Sequence, residues 1–123
     1  MLRVITACLS AFFLTGCAFF TPSFKSGNKQ TMVASWYQHG TRTANGERYN
    51  PDGLTVAHRK LPFNTVLLLT RGNKTVIVRV TDRGPFSRGR DLDLSRGAAK
   101  ALDCIKVGVC TVEVEVLARG SAW

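Results

Sequence analysis

Apolar and polar residues follow a two-residue period in several short stretches of the chain. Residues 32–37 are rich in residues that favour strands, residues 65–70 form a nearly continuous apolar run, and residues 75–81 alternate. Residues 111–117 have the sequence TVEVEVL, which puts the valines on one face and the glutamates on the other. Alternation is typical of half-buried strands, and a short continuous apolar run is consistent with a fully buried one, so the pattern predicts short strands in these four stretches.

Local signals predict one hairpin and one helix. Residues 71–74 have the sequence RGNK and lie between two of the predicted strands, which favours a hairpin loop. Ser95 is placed to cap a helix over residues 96–102, whose alanines and leucine form a small apolar face. Short strands with a single helix predict a mainly β fold, closed into a small barrel because closure leaves no exposed strand edges.

The segment between Tyr37 and Pro62 contains glycines, asparagines and a proline that interrupt any regular element. It also contains Glu47, Tyr49 and both histidines of the chain. Long segments without regular structure often carry function. The sequence therefore indicates a candidate site in this segment.

The length and the net charge of the chain limit which kinds of protein it can be. The chain has 123 residues, with 17 Lys and Arg against 8 Asp and Glu, for a net charge of +9. This length suits one domain and excludes the large doubly wound and barrel enzymes. The positive charge indicates an anionic partner, which could be nucleic acid, a membrane surface or an acidic polymer.

The N-terminus has the composition of an export signal. Arg3 precedes the apolar residues 4–14, and LTGC occupies residues 14–17. An apolar stretch of about 7–15 residues before small residues is typical of a secretory signal. The alternative, an uncleaved helix over residues 4–20, is barely long enough to cross a bilayer. LTGC resembles the bacterial lipobox. The resemblance implies that cleavage before Cys17 makes it the first residue of the mature chain and that Cys17 carries the lipid.

The chain is thus expected to divide into a signal peptide at 1–16, a lipidated cysteine and flexible tether at 17–31, a domain at 32–118 and a tail at 119–123. Export argues against nucleic acid as the partner and leaves phospholipid headgroups and the cell-wall polymer. In enteric bacteria, an Asp directly after the lipidated cysteine retains a lipoprotein at the inner membrane. This position is Ala18 here, which favours a location at the outer membrane.

Cys104 and Cys110 are the cysteines of the predicted domain. Two thiols this close in an oxidising compartment can close a disulfide loop. Free buried thiols are the alternative, because spacing alone does not orient the Cβ atoms. No histidine lies near them in sequence, so no metal site is expected there.

Five groups of residues, in order, resemble the rare lipoprotein A family. These are ASWY at 34–37, RTANGERY at 42–49, LTVAHR with LPF at 54–63, VRVTDRGPF at 78–86, and RGR with DLS at 88–95. The resemblance implies a six-stranded double-psi β-barrel, shared with expansins. It also implies a periplasm-facing envelope lipoprotein that acts as a lytic transglycosylase on peptidoglycan strands stripped of stem peptides. Neither a metal nor an organic cofactor is expected, and the protein is expected to be a monomer.

The family's motif positions fall on Glu47, His58 and Asp82. In a lytic transglycosylase the C6 hydroxyl of muramic acid attacks C1, so one carboxyl can act first as acid and then as base. Asp82 is the expected acid/base. Glu47 is expected to orient the sugar or to stabilise positive charge that develops at C1. His58 is expected to position Asp82 or a sugar hydroxyl. Asp93 is a rival acid, because an Asp in a similar Asp-Leu-Ser sequence has this role in related barrel enzymes.

Other residues are expected to contact the glycan. Tyr37 and Tyr49 could stack on sugar rings, and Arg83 and Arg90 could bind lactyl carboxylates through paired hydrogen bonds. Asp91 departs from the family, which has an apolar residue at that position. The alternative function is a non-catalytic, expansin-like lipoprotein that binds peptidoglycan, in which Asp82 is structural.

Overall fold

The computed structural model describes residues 28–120, in which six strands close into a barrel. The elements are β1 (Gln30–Tyr37), β2 (Thr55–Ala57), β3 (Val66–Arg71), β4 (Lys74–Asp82), β5 (Leu92–Ser95), α1 (Arg96–Ala101) and β6 (Cys110–Ala118). The expected mainly β fold, a closed barrel with a short helix, is confirmed. The predicted signal peptide, Cys17 and most of the predicted tether lie outside the described residues, as does the end of the predicted tail.

The four strands predicted from the sequence pattern are present, each with slightly different ends. Strand β1 begins at Gln30, inside the predicted tether. Arg71 pairs with Lys74, so the β3–β4 hairpin turns through Gly72 and Asn73 alone. Gly72 has a φ of +60°, a conformation that glycine adopts without strain. Strands β2 and β5 were not predicted, because three and four residues are too few to show a period.

Two parallel strand pairs distinguish this barrel from a simple meander. The strand order is β1-β5-β2-β4-β3-β6, with β1 parallel to β5 and β2 parallel to β4. The register pairs Ser35 with Asp93, Asp93 with Ala57, and Ala57 with Asp82. These four residues therefore form one row across four neighbouring strands.

The core is filled from the inner faces of the strands. Its largest fully buried side chains include Leu67, Leu69, Leu92 and Leu94. On β6, Val112 and Val114 are buried and Glu113 is exposed, as the period predicts. Val116, near the end of the strand, is 45% exposed, so the inward face predicted for the valines ends at Val114. Among the residues described, no helix is long and apolar enough to cross a membrane.

Helix α1 is held at both of its ends. Ser95 caps the first turn, because its Oγ accepts a hydrogen bond from Ala98 N, and the same Oγ donates to Gly53 O at 2.6 Å. After the helix, a disulfide joins Cys104 and Cys110. The predicted cap and helix are therefore present, although the helix ends one residue earlier than predicted.

Gly97 allows α1 to begin directly against the turn that precedes β2. Its N–H donates to Pro51 O at 2.8 Å. A Cβ at position 97 would lie 2.5 Å from Asp52 O and 2.8 Å from Gly53 O, both of which are backbone atoms. Such a contact cannot be relieved by a side-chain rotation.

We expect Gly97→Ala to lower the free energy of unfolding by roughly 2 kcal/mol, although alanine favours helices over glycine, because residues 52–53 must move. Urea denaturation measures the change. Lys100→Ala, at an exposed position of the same helix, is the control and should change the value by less than about 0.5 kcal/mol. Equal stability of the two variants would contradict the close approach.

Candidate active site

The row across four strands brings two carboxylates onto one surface of the barrel. Asp82 ends β4 and Asp93 lies in β5, and both pair with Ala57 of the strand between them. Since neighbouring strands lie about 4.8 Å apart, the two Cα atoms are separated by about 10 Å. Both carboxylates are half-buried. This distance allows the two groups to reach different atoms of one sugar residue.

Three donors hold the carboxylate of Asp82. Oδ1 accepts hydrogen bonds from Ala44 N and Arg83 N, each at 2.9 Å. Oδ2 accepts a hydrogen bond from Tyr37 Oη at 3.3 Å. The donors come from three different parts of the chain, so the orientation of this carboxylate depends on the assembled barrel.

Asp93 lies in a different environment. Its Oδ1 accepts one side-chain hydrogen bond, from Ser35 Oγ at 3.0 Å. Burial raises the pKa of Asp93, and the nearby charge of Asp82 acts in the same direction, while the Ser35 hydrogen bond and Arg90 act against it. Asp93 therefore holds its proton to a higher pH than an ordinary aspartate.

Tyr37 and Tyr49 form a stacked pair beside Asp82. Their ring centroids are 4.7 Å apart, with an angle of 15° between the planes. Tyr49 is 7% exposed and donates from its hydroxyl to Tyr37 O at 2.7 Å. Burial, and then the charge of Asp82, raise the pKa of Tyr37, so this hydroxyl stays protonated. Tyr49 thus supports Tyr37, and Tyr37 directs its hydroxyl at Asp82.

Glu47 makes a two-point ion pair with Arg79. Its carboxylate oxygens lie 2.6 and 2.7 Å from the Arg79 guanidinium nitrogens. The hydrogen bond from Arg79 lowers the pKa of Glu47, which favours the ionised form and opposes a role as acid. Asn45 also donates to Glu47, at 3.0 Å. The ion pair ties loop 43–47 to β4, and this loop carries the Ala44 N–H that binds Asp82.

His58 holds its own loop together. Its Nδ1 accepts hydrogen bonds from Lys60 N and Leu61 N, both at 3.0 Å, so the neutral ring carries its proton on Nε2. Burial lowers the pKa of His58, and Arg59 and Arg83 lower it further. Its connection to Asp82 is through the backbone, from His58 N to Asp82 O at 3.2 Å.

Arg83 is bound by the protein itself. Its Nη1 donates to Leu61 O at 2.7 Å and to His58 O at 3.2 Å, and its guanidinium lies 3.9 Å from the centre of the Phe63 ring. Arg90, in contrast, acts on Asp93 through its charge.

The structure therefore brings Tyr37, Asp82, Asp93 and Arg90 to one surface, and uses Glu47, His58, Tyr49 and Arg83 to hold that surface in shape. The Ser35 hydroxyl and the Ala44 N–H, which bind the two aspartates, are not predicted by any motif in the sequence. A hydroxyl at 35, two residues before Tyr37 on β1, was the one available signal. Within residues 28–120, no group of three or more His, Cys, Asp or Glu side chains could hold a metal ion.

The sequence of this chain matches the family described as "Lytic transglycolase" over residues 29–114. The chain belongs to this family. Among its relatives, "Endolytic peptidoglycan transglycosylase RlpA" of Campylobacter jejuni is 43% identical over 114 residues, 89% of this chain and 42% of the relative. The protein of the same name from Helicobacter pylori strain 26695 is 44% identical over 99 residues, 76% of this chain and 31% of the relative. The chain thus spans less than half the length of these relatives.

Solved structures support the family's barrel fold. "Streptomyces papain inhibitor (SPI)" matches with a TM-score of 0.63 and 20% identity, covering 74% of this chain and 96% of that one. The expansin of Clavibacter michiganensis matches with a TM-score of 0.62 and 21% identity, covering 77% of this chain and 53% of that one. At these identities the likeness concerns the fold alone, and the expected double-psi β-barrel is confirmed.

The lowered pKa of His58 makes stability depend on pH. The unfolded chain binds a proton at His58 as the pH falls below about 6.5, whereas the folded protein resists that proton. The free energy of unfolding is therefore expected to fall between about pH 7.5 and pH 5. His58→Asn keeps an acceptor for the two N–H groups without titrating, so it should show a smaller fall. Urea denaturation across this pH range measures both proteins, and identical pH dependence would refute the assignment.

Proposed function

We propose that this protein is a lytic transglycosylase that cleaves the glycan strands of peptidoglycan, prefers strands lacking stem peptides, and leaves 1,6-anhydromuramic ends. Membership of the lytic transglycolase family and the names of its relatives support the reaction class. The observation that carries the proposal is the pair Asp82 and Asp93, which share one row of the barrel but differ in environment.

Asp93 is proposed as the acid. Its pKa is raised by burial, so it can hold a proton and donate it to the glycosidic oxygen as the bond from C1 breaks. The muramic C6 oxygen forms the new bond to C1 and passes its hydroxyl proton to Asp82. Asp93 loses one proton and Asp82 gains one, no water is consumed, and exchange with solvent restores both groups. This assignment reverses the preference for Asp82 as the acid that the sequence suggested.

The surrounding residues are proposed as positioning residues. Tyr37 holds Asp82 through its hydroxyl, and Glu47 acts through loop 43–47, which supplies the Ala44 N–H. His58 and Arg83 hold the loop that follows β2. Two arginines, Arg83 and Arg90, are expected to bind a lactyl carboxylate. The Arg83 guanidinium already donates to the protein, so Arg90 is proposed for this role.

We expect Asp93→Asn and Asp82→Asn each to lower the rate of anhydro-ended product formation about 10²- to 10⁴-fold, because each removes a proton-transfer group. Mass spectrometry of purified sacculi, stripped of stem peptides and digested with each protein, measures the products. Asp103→Asn, at an exposed position after α1, is the control and should retain full activity.

The outcomes separate the alternatives. Full activity of Asp93→Asn would move the acid to another carboxyl, with Asp82 the next candidate. Binding of the unmodified protein to sacculi without any product would favour the expansin-like, non-catalytic function.

The protein is further proposed to be a monomer in the cell envelope, facing the periplasm and anchored at the outer membrane by lipid on Cys17. The LTGC sequence and Ala18 support this location. Labelling with a palmitate analogue is expected to be lost in Cys17→Ala and retained in Cys8→Ala, whose cysteine lies in the predicted signal. Equal labelling of the two variants would refute the anchor.

A further inference from the structure

Among the Phe, Tyr and Trp residues within residues 28–120, Phe86 is the one whose ring is exposed to solvent. Tyr49 and Phe63 are buried and Trp36 and Tyr37 are half-buried, whereas Phe86 is 83% exposed. An aromatic ring in water forgoes the stabilisation that burial would bring. A single exposed apolar residue is ordinary by itself, so its meaning depends on how and where the ring is held.

The segment that carries Phe86 joins the strands of the two aspartates and is tied on both sides of the ring. Arg59 Nη1 donates to Pro85 O at 2.8 Å and to Arg90 O at 2.6 Å. Asp91 N donates to Val33 O at 2.8 Å, and Asp91 Oδ2 accepts from Val33 N at 3.0 Å. Fixed ends limit the conformations of this segment, so the ring is presented before any ligand arrives.

Asp91 also strengthens this attachment. Its Oδ1 lies 3.6 Å from Arg59 Nη2, so Asp91 contacts the side chain that bridges the segment.

The ring packs on the backbone of the segment that follows Asp82. A Cβ at Gly84 would be 3.5 and 3.7 Å from two carbons of the Phe86 ring, so the ring rests along the Gly84 backbone. Gly84 is two residues after Asp82 and has a φ of +122°, which suits glycine. The high exposure of Phe86 shows that the rest of the ring is open to solvent.

Two arginines follow Phe86 in the same segment, at positions 88 and 90. Arg88 is exposed and Arg90 is half-buried, and within residues 28–120 neither guanidinium makes a hydrogen bond or an ion pair. An aromatic face attracts the C–H groups of a pyranose ring, and a guanidinium binds a carboxylate through two parallel hydrogen bonds. Together these groups match a sugar that carries an acid.

We propose that Phe86, Arg88 and Arg90 form a glycan subsite that binds a muramic acid ring through its apolar face and its free lactyl carboxylate. The proposal rests on the proposed function, and it names the chemical group that the site selects. A stem peptide converts the lactyl carboxylate into an amide. The subsite therefore accounts for a preference for strands without stem peptides through charge, because only the free acid can pair with the arginines.

The test compares two forms of the same stripped glycan, one with free lactyl carboxylates and one with these carboxylates amidated. Phe86→Ala should raise KM about 3- to 10-fold on both forms with little change in kcat, and Phe86→Trp should restore it. The double variant Arg88→Gln, Arg90→Gln should raise KM on the free-acid form alone. Ile77→Ala, which removes another exposed apolar side chain from β4, is the matched control and should leave KM unchanged.

Binding is measured separately from cleavage by sedimentation of each protein with the same two glycans. If the unmodified protein makes no product but its binding follows the same pattern, the subsite stands and the proposed function fails. If the unmodified protein is active and Phe86→Ala has an unchanged KM and unchanged binding, the subsite is refuted. Weaker binding of Phe86→Ala to anionic lipid vesicles, with glycan binding unchanged, would also refute it and place the ring on a membrane.

Discussion

The register of the two parallel strand pairs is the constraint on which the site depends. β1 beside β5 and β2 beside β4 put Ser35, Asp93, Ala57 and Asp82 in one row. A shift of one residue in any of these pairs would turn a carboxylate towards the core, because successive side chains of a strand point to opposite faces. The buried leucines of β5 on either side of Asp93 oppose such a shift. Packing of the core thus determines where the two carboxylates lie on the surface.

The polar contacts around this row have two distinct effects. Some fix loops: the Glu47–Arg79 pair, the His58 ring and the Arg83 guanidinium each tie an irregular segment to the barrel. Others set the state of a carboxylate, as burial does when it raises the pKa of Asp93. Most charged side chains near the aspartates therefore stabilise the shape of the site, which leaves Arg88 and Arg90 available to a ligand.

Residues expected to touch substrate divide in the same way. Tyr49 was a candidate for sugar stacking, yet it is buried behind Tyr37. Phe86 lies within the motif that contains Asp82, but the sequence does not predict a role for it. A phenylalanine in a turn can be buried or exposed, and the sequence alone does not show which. The exposure of the ring and its support on Gly84 are properties of the folded loop.

The sequence by itself determined the features that depend on neighbouring residues. Alternation placed two strands, and strand-favouring residues and an apolar run placed two more. Ser95 marked the start of α1, Gly72 marked a hairpin, and the motif residues pointed to Asp82 and Asp93. Only the tertiary structure decided that β2 and β5 exist as strands, which arginines are already bound, and that burial raises the pKa of Asp93. Each of these depends on contacts between residues far apart in the chain, since short strands form by pairing and a pKa follows burial and charges that folding brings together.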